Sequence, residues 1–180
     1  KKTTNEKTIS TESGQDWPRF LGNRFDGSVE QSRLSIDWNT PPVAAWSIEV
    51  GDGYGLGTVS EGRFFQLDAS RQFDAVTSRL ASRERLRCFD FVSGAEIWSK
   101  SNSYQYSDLL GYEDGPRTSP TVVGDRVITY GVTGVLKCRY VKDGTEIWSV
   151  DTNADYGVVQ NFFGVGSSPL VLHGKVIVMV

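Results

Sequence analysis

Arg117 is the side chain best suited to hold an anion, because a guanidinium offers five donors in a rigid fork that matches a carboxylate or phosphate. Tyr112, Glu113 and Asp114 stand just before it. A second stretch of similar make-up carries Asp155, Tyr156, Gln160, Asn161, Phe162 and Phe163. Aromatic rings mixed with carboxylate, amide and guanidinium are the ingredients of an apolar pocket with a few polar anchors. Arg117, Asp114, Glu113, Tyr112, Asn161 and Phe162 are therefore the candidate ligand-binding residues. The competing reading has the rings packing their loops down while the charges are solvated, with Arg117 in a structural pair with Glu113 or Asp114.

Other chemistries find little support. The single histidine, His173, falls in a hairpin turn, and GxSxG, HExxH and paired CxxC patterns are absent. A Ser-His triad or zinc site is thus disfavoured, and no residue is assigned to catalysis or to a metal. Gly51 to Gly57, GDGYGLG, has the glycines of a phosphate loop but neither its Lys-Ser/Thr nor a helical pattern after it, so it reads as a glycine-rich turn entering a strand. In FDAVTSRLASRERLR, Phe73, Val76 and Leu80 recur at helical spacing beside Arg79, Arg83, Arg85 and Arg87. This is a short helix or ribbon capping the candidate face, a solvated loop, or a dock for an acidic partner.

The elements that must position these residues show in a repeat. Leu86 to Lys100, LRCFDFVSGAEIWSK, returns fifty residues later as LKCRYVKDGTEIWSV, with Cys88/Cys138, Gly94/Gly144, Ile97/Ile147 and Trp98/Trp148 aligned without a gap. Ala45-Trp46-Ser47 is a further echo. Ser119 to Ile128, turned at Gly124-Asp125, is matched by Ser168 to Ile177, turned at His173-Gly174, and more weakly by Thr58 to Phe65. Each unit reads as four short antiparallel strands, A to D, in about 50 residues, which is the blade of a β-propeller. The first copy has an insertion between B and C. The order D, ABCD, ABCD, AB, with the first D over 44–50, gives an all-β partial β-propeller whose ring this chain does not close. Rings need about four to eight blades, so the expectation is a part of a longer chain, or one completed by a second chain.

In such a blade the D-to-A and B-to-C connections emerge on one face, here Ser101 to Arg117, Asp151 to Gly166, Gln66 to Arg85 and Thr129 to Gly134. This loop face holds every candidate ligand residue. Cys88 and Cys138, at one place in successive blades, lie beyond disulfide reach and read as small buried residues. Residues 1–15 read as a disordered leader or the stub of a mature secreted chain. Residues 16–43 read as an extended segment pinned on the propeller by Trp17 and Phe20, and 44–180 as the propeller itself. The net charge of −3 offers no attraction to nucleic acid or an anionic membrane, and no 18-residue apolar run spans a bilayer.

Cys88-Phe89-Asp90-Phe91-Val92-Ser93-Gly94-Ala95-Glu96-Ile97-Trp98 resembles the repeat of the pyrroloquinoline-quinone (PQQ) quinoprotein propellers: small residue, x, Asp, x, x, Thr/Ser, Gly, three residues, Trp. The second copy departs from it, with Tyr140 at the Asp position and Asp143 at the Ser/Thr position. DWPRFLGNRFDG and EDGPRTSPTVVGDRVITYGVTGVLKC are similar to secreted bacterial PQQ-like propellers. The resemblance implies a periplasmic or secreted location, and makes Trp98 and Trp148 docking residues between blades, with Trp46 a structural residue at the equivalent place and Gly94 and Gly144 in the turns. The family includes non-enzymatic assembly lipoproteins and quinoprotein alcohol dehydrogenases. A binding or scaffold module is the first expectation, with a protein or small molecule at the loop face. The alternative is part of a PQQ- and calcium-dependent dehydrogenase of alcohols or sugars, although the vicinal Cys-Cys typical of those enzymes is absent here.

Overall fold

A computed structural model describes residues 15–29, 39–74, 79–158 and 163–180. Ten strands and one short helix are found among them: β1 (Thr58–Ser60), β2 (Arg63–Asp74), β3 (Arg79–Asp90), β4 (Glu96–Tyr104), β5 (Thr121–Val123), β6 (Arg126–Tyr130), β7 (Val135–Tyr140), β8 (Glu146–Asp151), α1 (Thr152–Tyr156), β9 (Leu170–Leu172) and β10 (Lys175–Ile177). They form antiparallel meanders in chain order, β1 to β4, β5 to β8, and the hairpin β9–β10. First strands touch first strands, β1 against β5 and β5 against β9, so the sheets fan from a common edge. The chain is a partial β-propeller.

The fifty-residue repeat is reproduced down to its irregularities. Cys88 pairs with Trp98 and Cys138 with Trp148, and a bulge follows at Cys88/Phe89 and again at Cys138/Arg139. Alternation along the strands then builds the cores. Phe65, Leu67, Leu86 and Cys88 of the first sheet meet Val122 and Val127 of the second. Ile128, Tyr130, Leu136 and Cys138, on the opposite face of the second sheet, pack with Trp148, Val171, Val176 and Val178. Each fully buried Val, Leu or Phe contributes about 1.5–3 kcal/mol. Both cysteines are buried free thiols.

The tryptophans fasten neighbouring units. Trp46 Nε1 donates to the Phe91 carbonyl at 2.8 Å and Trp98 Nε1 to the Val141 carbonyl at 2.9 Å, three residues before Gly94 and Gly144 respectively. Those glycines lie under the indoles with φ of +71° and +70°, a conformation that costs other residues. Arg63 Nη1 also donates to the Val141 carbonyl, at 2.9 Å.

Several local expectations are corrected. Residues 44–50 carry Trp46 to its dock but do not form a strand, and among the described residues no strand pairs with them. The stretch expected as the B-to-C loop is a ribbon: β2 and β3 pair continuously from Arg63↔Asp90 to Asp74↔Arg79. The helical spacing of Phe73, Val76 and Leu80 loses to that ladder, and Val76 lies outside the described residues. The D-to-A connection after the first blade starts later than expected, since β4 runs on to Tyr104. Its counterpart after the second blade opens with α1, capped by the Asp151 carboxylate at the Asn153 and Ala154 N–H groups and closed by Gly157 at φ +65°. Trp17 exchanges backbone hydrogen bonds with Val59 of β1, and Val122 of β5 donates to the Pro18 carbonyl, whereas Phe20 is exposed.

Candidate functional site

The strap Gly51 to Gly57 builds one wall of the site. It is extended rather than turned. Asp52 bridges to Ala69 of β2, and the Tyr54 N–H donates to the Pro116 carbonyl at 2.9 Å. Gly51 and Gly55 ride so close to the carbonyl oxygens of Ala69 and Thr118 that a Cβ on either would overlap them. Glycine is therefore required here by close backbone approach. With the glycines turned inward, Tyr54 and Leu56 project outward, and both are exposed.

The connection from β4 to β5 builds the opposite wall. Asp108 folds it: its carboxylate accepts the N–H groups of Leu110 at 2.8 Å and Tyr112 at 3.2 Å. Arg117 Nη2 reaches the same carboxylate at 2.9 Å, with side-chain exposures of 12% for Arg117 and 1% for Asp108. Arg117 Nη1 donates to the Gly115 carbonyl, and its guanidinium lies 5.6 Å from the centre of the Tyr54 ring and 5.4 Å from that of Tyr106. Burial pushes the Asp108 carboxyl up, but the Leu110 and Tyr112 N–H groups, the Tyr106 hydroxyl and Arg117 together hold it below its ordinary value.

Tyr54, Tyr112, Arg117 and Phe163 line an open recess of about 270 Å³. The Tyr112 and Phe163 rings meet edge to face, 6.2 Å between centroids, a favoured aromatic geometry. Tyr54, Tyr112 and Phe163 are each about half exposed, and the chain neighbours Leu56, Leu109 and Leu110 are more so.

Of the candidate residues, Arg117 and Tyr112 line this recess. Glu113 and Asp114 face its supports: Glu113 Oε2 accepts the Gly53 N–H at 2.6 Å, and Asp114 accepts the Asp108 N–H and pairs with Arg71 at 3.1 Å. Asn161, Phe162 and Gln160 lie outside the described residues. In the competing reading Arg117 pairs with Glu113 or Asp114; the structure pairs it instead with Asp108, which sequence reasoning missed. Its signal was the Asp-x-x-Gly run Asp108-Leu109-Leu110-Gly111, a pattern that favours a carboxylate capping a turn. Tyr54, misassigned to a turn, was missed for the same kind of reason.

Among the described residues of the basic cluster, Arg83, Arg85 and Arg87 are engaged within the chain. Arg85 makes two bonds to Asp68, at 2.8 and 2.7 Å, and Arg87 pairs with Glu96 at 2.9 Å while donating to the Glu49 carbonyl. Arg83 donates to Ser101; the Arg79 side chain is not among those described. His173 is exposed in the β9–β10 turn at φ +48°.

Calcium with a quinone would need several unengaged oxygen donors at the mouth. Asp108, Glu113 and Asp114 are turned onto backbone N–H groups and arginines, so the residues described here do not fit that group.

No protein-family model matches the sequence, and no curated protein matches it. Among solved structures, BamB from Moraxella catarrhalis matches 69% of this chain at 13% identity with a TM-score of 0.36, and the chain spans 39% of that protein's length.

Proposed function

We propose that the chain is a binding and scaffold module, an extracytoplasmic propeller segment that takes a neutral aromatic or apolar side chain of a partner protein at its loop face. The observation that carries this reading is the recess itself, three half-exposed rings around an arginine whose charge Asp108 already balances. A recess of about 270 Å³ falls below the roughly 300–1,000 Å³ of small-molecule pockets, so it suits one ring at the centre of a larger contact. The exposed Leu56, Leu109 and Leu110 extend the apolar surface that such a contact needs. The same reading has the ring completed by the remaining blades of the propeller or by a second chain. An apolar groove lined by Leu136, Trp148, Val150 and Val176 supports it. Among the described residues no helix is long and apolar enough to cross a membrane. The extracytoplasmic placement rests on the repeat resemblance, and a reporter fusion active only after export tests it.

The binding test is an NMR titration of the full chain with N-acetyltryptophanamide, which is neutral, and N-acetyltryptophan, which carries a carboxylate. Saturable shifts at Tyr54, Tyr112 and Phe163 with the amide, lost in Tyr112→Ala, are expected. No saturation, or marked preference for the carboxylate, overturns the reading.

A further inference from the structure

Glu84 stands on β3 opposite Ala69 of β2 and Asn102 of β4, on the face of the first sheet that meets the second. Its Oε1 accepts the Val132 N–H at 2.7 Å. Gly131 comes so close that a Cβ there would overlap the carboxyl. Val132 is fully buried, in a turn closed by the Gly131 N–H to the Val135 carbonyl and the Gly134 N–H to the Gly131 carbonyl. The Val132 carbonyl in turn accepts the Val165 N–H at 2.9 Å, and Gly164 is packed against the Val132 side chain and the Tyr106 ring. Phe163, the next residue back, is the ring set against Tyr112. A short run of contacts thus joins a carboxyl of the first sheet to one wall of the recess.

We propose that Glu84 is a positioning residue for the recess: by holding Val132 it sets the segment that carries Phe163. The relevance to binding rests on the proposed function above. Opposing influences act on Glu84. Burial pushes its carboxyl up to about 7, against the Val132 N–H and the charge of Lys137 on β7. Tyr104 of β4 lies within electrostatic reach, and its hydroxyl is raised by burial first and then by Glu84, Asp114 and Asp52. Arg71 of β2 is tied to Asp52 and Asp114, and Asn102 is uncharged. Neutral or ionised, the carboxyl offers Val132 an acceptor, and the ionised form is the stronger one.

The test reads the Tyr112–Phe163 ring contact by NOE and the Val132 amide by hydrogen exchange. The wild-type chain should show the contact and a protected amide. Glu84→Gln, which keeps an acceptor oxygen, should keep both, and Glu84→Ala should lack both. N-acetyltryptophanamide binding should weaken in Glu84→Ala by roughly fivefold, a size typical of coupling between sites. A ring contact in Glu84→Ala equal to that of the wild type overturns the proposal, as does loss of the contact in Glu84→Gln. If the NOE and exchange behave as expected while the amide never binds, the proposed function falls and the positioning role stands.

Discussion

Gly144 lies so near the Trp98 indole that a Cβ on it would sit 2.8 Å from the ring carbon Cε3. The two residues belong to successive sheets, so this is where the first blade is keyed into the second. Gly144→Ala meets both the ring and the cost of φ +70°, and should destabilise the chain by about 2–4 kcal/mol. Gly111→Ala, with φ +79° and open space around it, should cost only the backbone term of about 1–2 kcal/mol. Urea denaturation of the two variants separates the clash from the strain.

Trp98→Phe keeps an aromatic ring but removes the N–H that meets the Val141 carbonyl. That carbonyl retains Arg63, so the loss should be modest, about 1 kcal/mol. Combining Trp98→Phe with Arg63→Ala should cost more than the sum of the single changes, because only the double variant strips the carbonyl of both donors.

Asp68 is almost wholly buried, held by two bonds from Arg85 and by the Gly51 N–H at 2.9 Å. Removing the arginine leaves a buried carboxylate with Arg87 at 3.9 Å as its remaining cation. Arg85→Ala should therefore destabilise by about 2–4 kcal/mol. Asp68→Asn in the Arg85→Ala background should recover part of that loss, read by the shift in denaturation midpoint.

The stability of the chain should fall as pH rises between about 4.5 and 7, through Glu84. Its carboxyl is raised from 4.5 to about 7, so below the lower value both folded and unfolded states are protonated and no penalty applies. Between the two the unfolded state releases its proton first, which costs up to about 1.4 kcal/mol per pH unit. Above about 7 the penalty is complete. Glu84→Gln should remove this slope, leaving the variant more stable than the wild type at neutral pH by about 2–3 kcal/mol.

Burial pushes the Cys88 and Cys138 thiols up and keeps them in separate cores. Neither should react with a thiol reagent at neutral pH in the native chain, and both should react in denaturant.

The blades were legible because their signals are local and repeated. Leu-x-Cys, the glycine turn and Ile-Trp-Ser recur at one spacing, although the bulges after Cys88 and Cys138 were not expected from them. The ribbon over β2 and β3 was legible only as one of several readings, since Phe73, Val76 and Leu80 carry helical spacing while the ladder that decides against a helix needs a partner strand. The partner of Arg117 was not legible. Proximity in sequence favoured Glu113 and Asp114, but Asp108 caps its own turn and so brings its carboxylate back over the guanidinium. The strap defeated sequence reading for a related reason. Its glycines are demanded by the backbones of Ala69 and Thr118, distant in the chain, and not by any turn of its own.

The first hairpin also stands taller than its counterpart. β2 has 12 residues where β6 has five. At about 3.3 Å per residue, the surplus raises the hairpin roughly 20 Å beyond its neighbour on the side where the recess opens. It stands there as a parapet along one flank, with exposed Phe73 near its crest. Arg71, on the raised part of β2, ties to Asp52 of the strap and Asp114 of the opposite wall, so the height of the hairpin and the spacing of the two walls are set together.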